Sequence, residues 1–265
     1  MDDTYQLIDS GDGQKLEQFG QYLIERPCAA ALWPRQKPDL WKPDARFTRD
    51  PDGRWEGKLP AAWQIEHGGI QFQLKATDFG HLGIFPEHAA HWDWMAGCIE
   101  GQPIKVLNLF AYSGGATLAL AKAGAHVCHL DASKGMIAWA RQNAKLNGLE
   151  AEPIRWIVDD ALKFLKREVK RGSKYEGVIL DPPTFGRGKQ GQVFKIEQQL
   201  PELIDLCQQV LGHERRFILL SCHTPGITPL ALHHLIGGGE HGEMTLTGDD
   251  ALPVPSGSFA RRRYA

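Results

Sequence analysis

The sequence predicts an α/β protein built on an open, mostly parallel sheet, and three observations carry that expectation. Five short apolar runs, KVLNLF, HVCHLD, IRWIVDD, GVILDPP and RFILLSC, recur after residue 100. Helix-like segments separate them, as parallel strands require, because each parallel connection must cross back over the sheet. Each run ends on small or polar groups: Asn108 to Gly115, then Asp131, Asp160, Asp181, and Ser221-Cys222. In an open parallel sheet the carboxyl ends of the strands share one edge, and ligands bind there. Residues scattered along the chain are therefore expected in one crevice.

Residues 1–95 are expected to form a small β-rich unit and residues 96–265 the main α/β domain. YQLIDSGDGQKLEQFG has the alternation and turn residues of a β-hairpin, and so do WQIEH and IQFQL around Gly68-Gly69. From Pro27 to Trp63 the chain is rich in proline and tryptophan (Trp33, Trp41, Trp55, Trp63), which predicts irregular, loop-rich structure with the indoles packed against the main domain, stacking on bases being the alternative. PEHAAHWDWM follows as a helix. Strands are expected near 105–110, 126–131, 154–158, 176–181 and 216–222. ATLALAKAG is a helix with Gly124 as its stop. EMTLTG and GSFARRRYA are expected to close the sheet as an antiparallel pair. His126 and His129 fall on a predicted strand and are expected to be structural.

The turn Asn108-Leu109-Phe110-Ala111-Tyr112-Ser113-Gly114-Gly115 resembles motif I of the class I S-adenosylmethionine-dependent methyltransferases. Its small residues let the backbone approach a ligand, and glycine tolerates positive φ. The G-x-G-x-x-G fingerprint of nicotinamide-binding folds is absent. The resemblance implies a Rossmann-like methyltransferase sheet with S-adenosyl-L-methionine as cofactor. The cofactor would be held by Asn108, Phe110, Ala111, Tyr112, Ser113 and Gly114, with its ribose on Asp131 beside Ala132. Asp160 and Ala161 would face the adenine, although Asp160 or Asp159 can equally cap the helix that begins there.

Phe79-Gly80-His81-Leu82-Gly83-Ile84-Phe85-Pro86-Glu87-His88, NLFAYSGG, LDPPTF and SCH together resemble the ribosomal-RNA methyltransferases that include the large-subunit cytosine-C5 enzymes. The resemblance runs from about Leu74 to the end of the chain. It implies Phe85 near the cofactor, with Glu87 matching the family's acidic residue and His88 replacing its basic one. The N-terminal RNA-binding module usual in the cytosine branch has no visible pattern here. Motif IV carries Pro-Pro, where other cytosine-C5 branches have Pro-Cys. A sister branch with DPPTF and no cysteine after the next strand methylates guanine nitrogen, so Cys222 favours the cytosine branch.

Asp181-Pro182-Pro183-Thr184-Phe185 is the sharpest motif. Two prolines stiffen the strand exit and remove two backbone donors. Asp181 and the adjoining carbonyls can then accept from the amine of a flat heterocycle; Pro182 would border the cofactor. Pro183, Phe185 and Arg187 are the expected substrate contacts, Phe185 as a stacking face. Cys222 ends the next strand in the same crevice. A thiolate adding to C6 of a pyrimidine makes C5 nucleophilic enough to accept a methyl group, which is covalent catalysis. Asp181 and Cys222 are thus the expected catalytic residues. His223 is not assigned as base, because along a strand it points to the opposite face. A base N-methyltransferase using the same DPPTF motif, and a non-catalytic nucleotide-binding scaffold, are the alternatives.

Composition fits a globular chain: 42% of the 265 residues are hydrophobic and 23% charged. No apolar run approaches a membrane span, and MDDTYQLIDSGDG lacks the features of a signal peptide. Five cysteines without C-x-x-C spacing predict a reduced, cytoplasmic chain with neither disulfides nor zinc, and the eleven histidines do not cluster as metal ligands. The expected partner is RNA, ribosomal RNA by the resemblance, and not a membrane. A net charge of −2 gives no global basic footprint, so phosphate contacts would fall to local groups. Arg187, Lys189 and Lys195 flank DPPTF, and Arg261-Arg262-Arg263 closes the chain.

Overall fold

The computed structural model describes residues 4–49, 53–99, 101–187 and 193–264. It divides into two compact units: Met1–Ala89 with Thr245–Ser256, and Ala90–Met244 with Gly257–Ala265.

The first unit is β-rich. Strands β1 (Tyr5–Gly11), β2 (Gln14–Phe19), β3 (Tyr22–Pro27), β4 (Ala45–Thr48) and β5 (Arg54–Gly57) form one sheet in that order. The turn from β1 to β2 places Asp12 at φ +52° and Gly13 at +74°, the left-handed geometry that Gly and Asp tolerate best. Strands β6 (Trp63–His67) and β7 (Ile70–Leu74) pair as the second expected hairpin, turning at Gly68 and Gly69. The Pro27–Trp63 segment is less irregular than its composition suggests. In β4, Ala45 and Phe47 alternate inward, and that short period-two pattern recruits β4 and β5 to the sheet. The four indoles pack within the unit. Their Nε1–H groups donate to Ser10 O (3.0 Å, Trp33), Asp9 Oδ2 (2.8 Å, Trp41), Thr77 O (2.8 Å, Trp55) and Phe19 O (3.2 Å, Trp63). A buried Arg26–Glu17 pair adds a two-pronged contact at 2.7 and 2.8 Å.

The second unit opens with helix α1 (Ala89–Ile99). Strands β8 (Lys105–Leu109), β9 (His126–Asp131), β10 (Ile154–Val158) and β11 (Gly177–Leu180) alternate with α2 (Gly115–Lys122), α3 (Lys134–Leu146) and α4 (Ala161–Arg171). A short hairpin, β12 (Phe185–Arg187) and β13 (Val193–Lys195), leads into α5 (Ile196–Val210). Strand β14 (Phe217–Cys222), α6 (Pro229–Ile236), β15 (Glu240–Gly248) and β16 (Ala251–Arg263) complete the chain. The seven-stranded sheet runs β10-β9-β8-β11-β14-β16-β15, with its first five strands parallel and β16 antiparallel to β14. This is the methyltransferase-type Rossmann-like sheet with an antiparallel C-terminal pair. Among the described residues no helix is long and apolar enough to cross a membrane.

Register decides where the polar residues go. Leu109 pairs with Leu130 on one side and with Leu180 on the other, and Leu180 pairs with Leu220. The carboxyl ends of β9, β8, β11 and β14 are therefore level. From β8 the chain winds outward to β9 and β10, then returns to add β11 on the other side, so the order reverses between β8 and β11. Ligands bind at such a switch point. The strands around it are buried but for Lys105 at the start of β8, packed by Phe164 and Leu165 of α4 and by Leu203 and Cys207 of α5, so the edge is a rigid platform.

Candidate active site

The turn after β8 is strained. Phe110 holds φ at +57°, Tyr112 at +52° and Gly114 at +96°. Bulky residues with positive φ are uncommon and persist only where the surroundings over-determine them. Here Ala111 N donates to Leu130 O (3.0 Å), Tyr112 N to Asp131 Oδ2 (3.0 Å), and Asn143 Nδ2 to Ser113 O (2.9 Å). Gly114 is required twice over: its φ is positive, and a Cβ there would stand 3.1 Å from Ala140 Cβ of α3.

Beneath the turn Asn108 Nδ2 donates to Thr117 Oγ1 (2.9 Å), which lies 2.9 Å from His129 Nδ1. The Thr117 hydroxyl thus links the Asn108 amide to the His129 ring beneath the turn. Burial pushes the His129 pKa down to about 3, so the ring is neutral. Asn108 is thus a buried support of the turn. Neither Thr117 nor Asn143 stands out in the sequence. Thr117 carries no motif signal, and Asn143 reaches Ser113 from 30 residues away on another helix.

Asp131 ends β9 partly buried. Its Oδ1 accepts from Ser133 N (2.8 Å) and its Oδ2 from Tyr112 N (3.0 Å). Burial raises its pKa, and the two N–H bonds only partly offset that. Ala132 is exposed beside it. Asp160 is the N-cap of α4, with Oδ1 accepting from Lys163 N at 2.9 Å, and Ala161 starts the helix buried. Asp159 instead accepts from Asp160 N (2.8 Å) and pairs with Arg167.

Across the switch point, Asp181 leaves β11 with Oδ1 accepting from Ser221 Oγ at 2.7 Å. Pro182 is buried and Pro183 exposed. Thr184 Oγ1 meets Thr224 Oγ1 at 2.8 Å, tying the DPPTF exit to the loop after β14. Phe185 is 49% exposed. Phe194, on the paired strand β13, packs against Phe110 with ring centroids 5.6 Å apart. Arg187 lies in β12, but its side chain and the whole of Lys189 fall outside the described residues.

Cys222 ends β14 with 1% exposure. Burial pushes its thiol pKa up, Thr224 N–H donating to Sγ at 3.4 Å lowers it, and the Asp181 and Glu197 carboxylates raise it again. The expectation for His223 needs correcting. Strand β14 stops at Cys222, so alternation no longer fixes the next side chain, and His223 Nε2 comes within 3.7 Å of Asp181 Oδ2. The basic C-terminus is also partly spoken for. Arg261 pairs with Glu240 (2.7 Å) and covers Trp94, while Arg262 donates to Gly237 O and covers Tyr264. Phe85 belongs to the first unit, where its ring lies 5.1 Å from that of His81.

Residues 13–225 match the family described as S-adenosylmethionine-dependent methyltransferase. The solved structure of a SAM-dependent methyltransferase from Agrobacterium tumefaciens is 39% identical, with a TM-score of 0.91 over 98% of this chain and 90% of that one. The ribosomal RNA large subunit methyltransferase K/L of Syntrophotalea carbinolica is 31% identical over 56% of this chain, which spans 20% of that protein's length. The ribosomal RNA large subunit methyltransferase I of Aeromonas hydrophila is 32% identical over 47% of this chain and 31% of its own. The chain thus spans about a fifth to a third of the length of these two curated relatives.

Proposed function

The chain belongs to the S-adenosylmethionine-dependent methyltransferases, and from that premise we propose that it methylates a cytosine of ribosomal RNA at C5. The residues fit the cofactor. Each Asp131 oxygen takes one backbone N–H and keeps acceptor capacity for a ribose hydroxyl. The neighbouring turn offers small residues and no pyrophosphate cradle. Bound there, the cofactor supplies a methyl group on a positively charged sulfur. Phe110 to Gly114, Asp131, Ala132, Asp160, Ala161 and Pro182 line the cofactor side, and Asn108 supports the turn from below. Asp181 accepts the exocyclic amine of the base, Phe185 stacks on it, and Pro183 and Arg187 border the RNA. The ribosomal RNA assignment is supported by the names of the relatives.

The observation that carries the C5 assignment is the placement of Cys222. Leu180 pairs with Leu220, so the residues leaving β11 and β14 emerge side by side, and the Asp181 charge acts on the Cys222 thiol. In this reading a base held by Asp181 is close to the strand end that carries Cys222, the nucleophile proposed for its C6. One observation favours a second acceptor. At 1% exposure with a raised pKa, Cys222 also fits a core thiol, and methyl transfer to a base nitrogen would then use Asp181 alone. RNA carrying 5-fluorocytosine separates the two. The C5 route leaves a covalent protein–RNA adduct that Cys222→Ala abolishes; an intact, active enzyme that forms no adduct belongs to the nitrogen route.

A further inference from the structure

C5 methylation requires a group that removes the C5 proton. We propose that His223 is the catalytic base for that step, an inference that rests on the C5 assignment above. Three features of its surroundings support it. Its Nε2 lies 3.7 Å from Asp181 Oδ2, too far for a hydrogen bond but close enough to stabilise an imidazolium once a proton arrives. Asp181 is itself fixed from the other side, because Ser221 Oγ holds Oδ1 at 2.7 Å. The imidazole is also seated. Gly257 on β16 holds φ at +131°, and a Cβ there would stand 3.1 Å from His223 Nδ1 and 2.8 Å from the Cys222 carbonyl oxygen. Glycine keeps that flank clear and leaves Nε2 on the Asp181 side. The His223 side chain is 31% exposed, so solvent reaches the imidazole beside Asp181.

After Sγ has bonded to C6 and C5 has accepted the methyl group, Nε2 takes the proton from C5. The C–H electron pair re-forms the C5=C6 double bond, and the C6–S bond breaks with its electrons returning to Cys222. The imidazolium then passes its proton to water, the one proton released per methyl transferred, and the thiolate regains from solvent the proton it gave up on bonding to C6. The second unit's other groups beside it serve less well. Asp181 is committed to Ser221 and to the amine of the base, and the Thr184 and Thr224 hydroxyls are too weakly basic.

The test compares wild type with His223→Gln and His223→Asn, using labelled S-adenosylmethionine and RNA, on denaturing gels. If His223 is the base, the variants add and methylate but cannot eliminate. They should accumulate a methyl-labelled covalent adduct on ordinary RNA, while turnover falls about 10²–10⁴-fold. Wild type should show no such band, and adding Cys222→Ala should remove it. Both variants should still bind cofactor and be trapped by 5-fluorocytosine RNA, which shows that folding and the earlier steps are intact. Turnover near wild type, or lost turnover with 5-fluorocytosine trapping but no adduct on ordinary RNA, would overturn the assignment of His223. Failure of active wild type to be trapped by 5-fluorocytosine RNA would instead bring down the C5 assignment and this inference with it.

Discussion

Asp131 accepts the backbone N–H of Tyr112 at 3.0 Å, and Tyr112 is held at φ +52°. The carboxylate proposed to hold the ribose thus also pins the strained turn that approaches the rest of the cofactor. Asp131→Ala should weaken S-adenosylmethionine binding by roughly 1–3 kcal/mol, the scale of charged hydrogen bonds left unmade. Unchanged affinity by calorimetry, in a folded variant, would remove Asp131 from the site.

The same residue sets a pH dependence. Burial raises the Asp131 pKa above 3.8, so its carboxylate protonates at a higher pH than that of an exposed aspartate. Protonation removes acceptor capacity, so cofactor affinity should fall as the solution is made acidic. Asp131→Asn should flatten that acid limb. An acid limb unchanged in Asp131→Asn would assign it to another group.

Asn143 is the remote clamp of the turn, and its test separates support from contact. Asn143→Ala leaves the buried Ser113 carbonyl without this donor, which should cost about 1–3 kcal/mol of stability and loosen cofactor binding. RNA affinity should be retained. Loss of RNA binding with cofactor binding intact would show that the clamp acts elsewhere.

Much of this arrangement was legible in the sequence, because apolar runs ending in polar residues fix both strands and strand ends. The level edge with Asp131, Asp160 and Asp181, the two N-terminal hairpins and the closing antiparallel pair all follow from that pattern. What escaped depends on tertiary approach. Asn143 and Thr117 act through neighbours brought by helix packing. His223 reaches Asp181 because β14 stops one residue earlier, and strand boundaries are poorly marked by composition. Strands β4 and β5 are too short, amid prolines and tryptophans, for alternation to stand out.

Asp181 and Phe185 should affect the base rather than the cofactor. Asp181→Asn should lower turnover far more than cofactor affinity; equal losses would move Asp181 to the cofactor side. Phe185 is 49% exposed, so Phe185→Ala should change stability little, yet weaken RNA engagement by about 1–3 kcal/mol if it stacks on a base. Unaltered RNA binding and turnover would return Phe185 to the ordinary surface.

Cys222→Ala should abolish turnover while sparing cofactor binding, and Cys222→Ser should fail as well, because a neutral hydroxyl is a weak nucleophile. The buried thiol has a raised pKa, so the thiolate fraction grows only above the ordinary thiol range, and wild-type turnover should climb with pH into the alkaline region. Full activity in Cys222→Ala would assign the chemistry to a base nitrogen.

The most direct measurement is incubation of the protein with labelled S-adenosylmethionine and unmodified ribosomal RNA, followed by digestion and nucleoside analysis. Label in 5-methylcytidine is the predicted result. Label confined to a nitrogen-methylated nucleoside would contradict the C5 chemistry, and an RNA that stays unlabelled beside protein that binds the cofactor would contradict ribosomal RNA as the substrate.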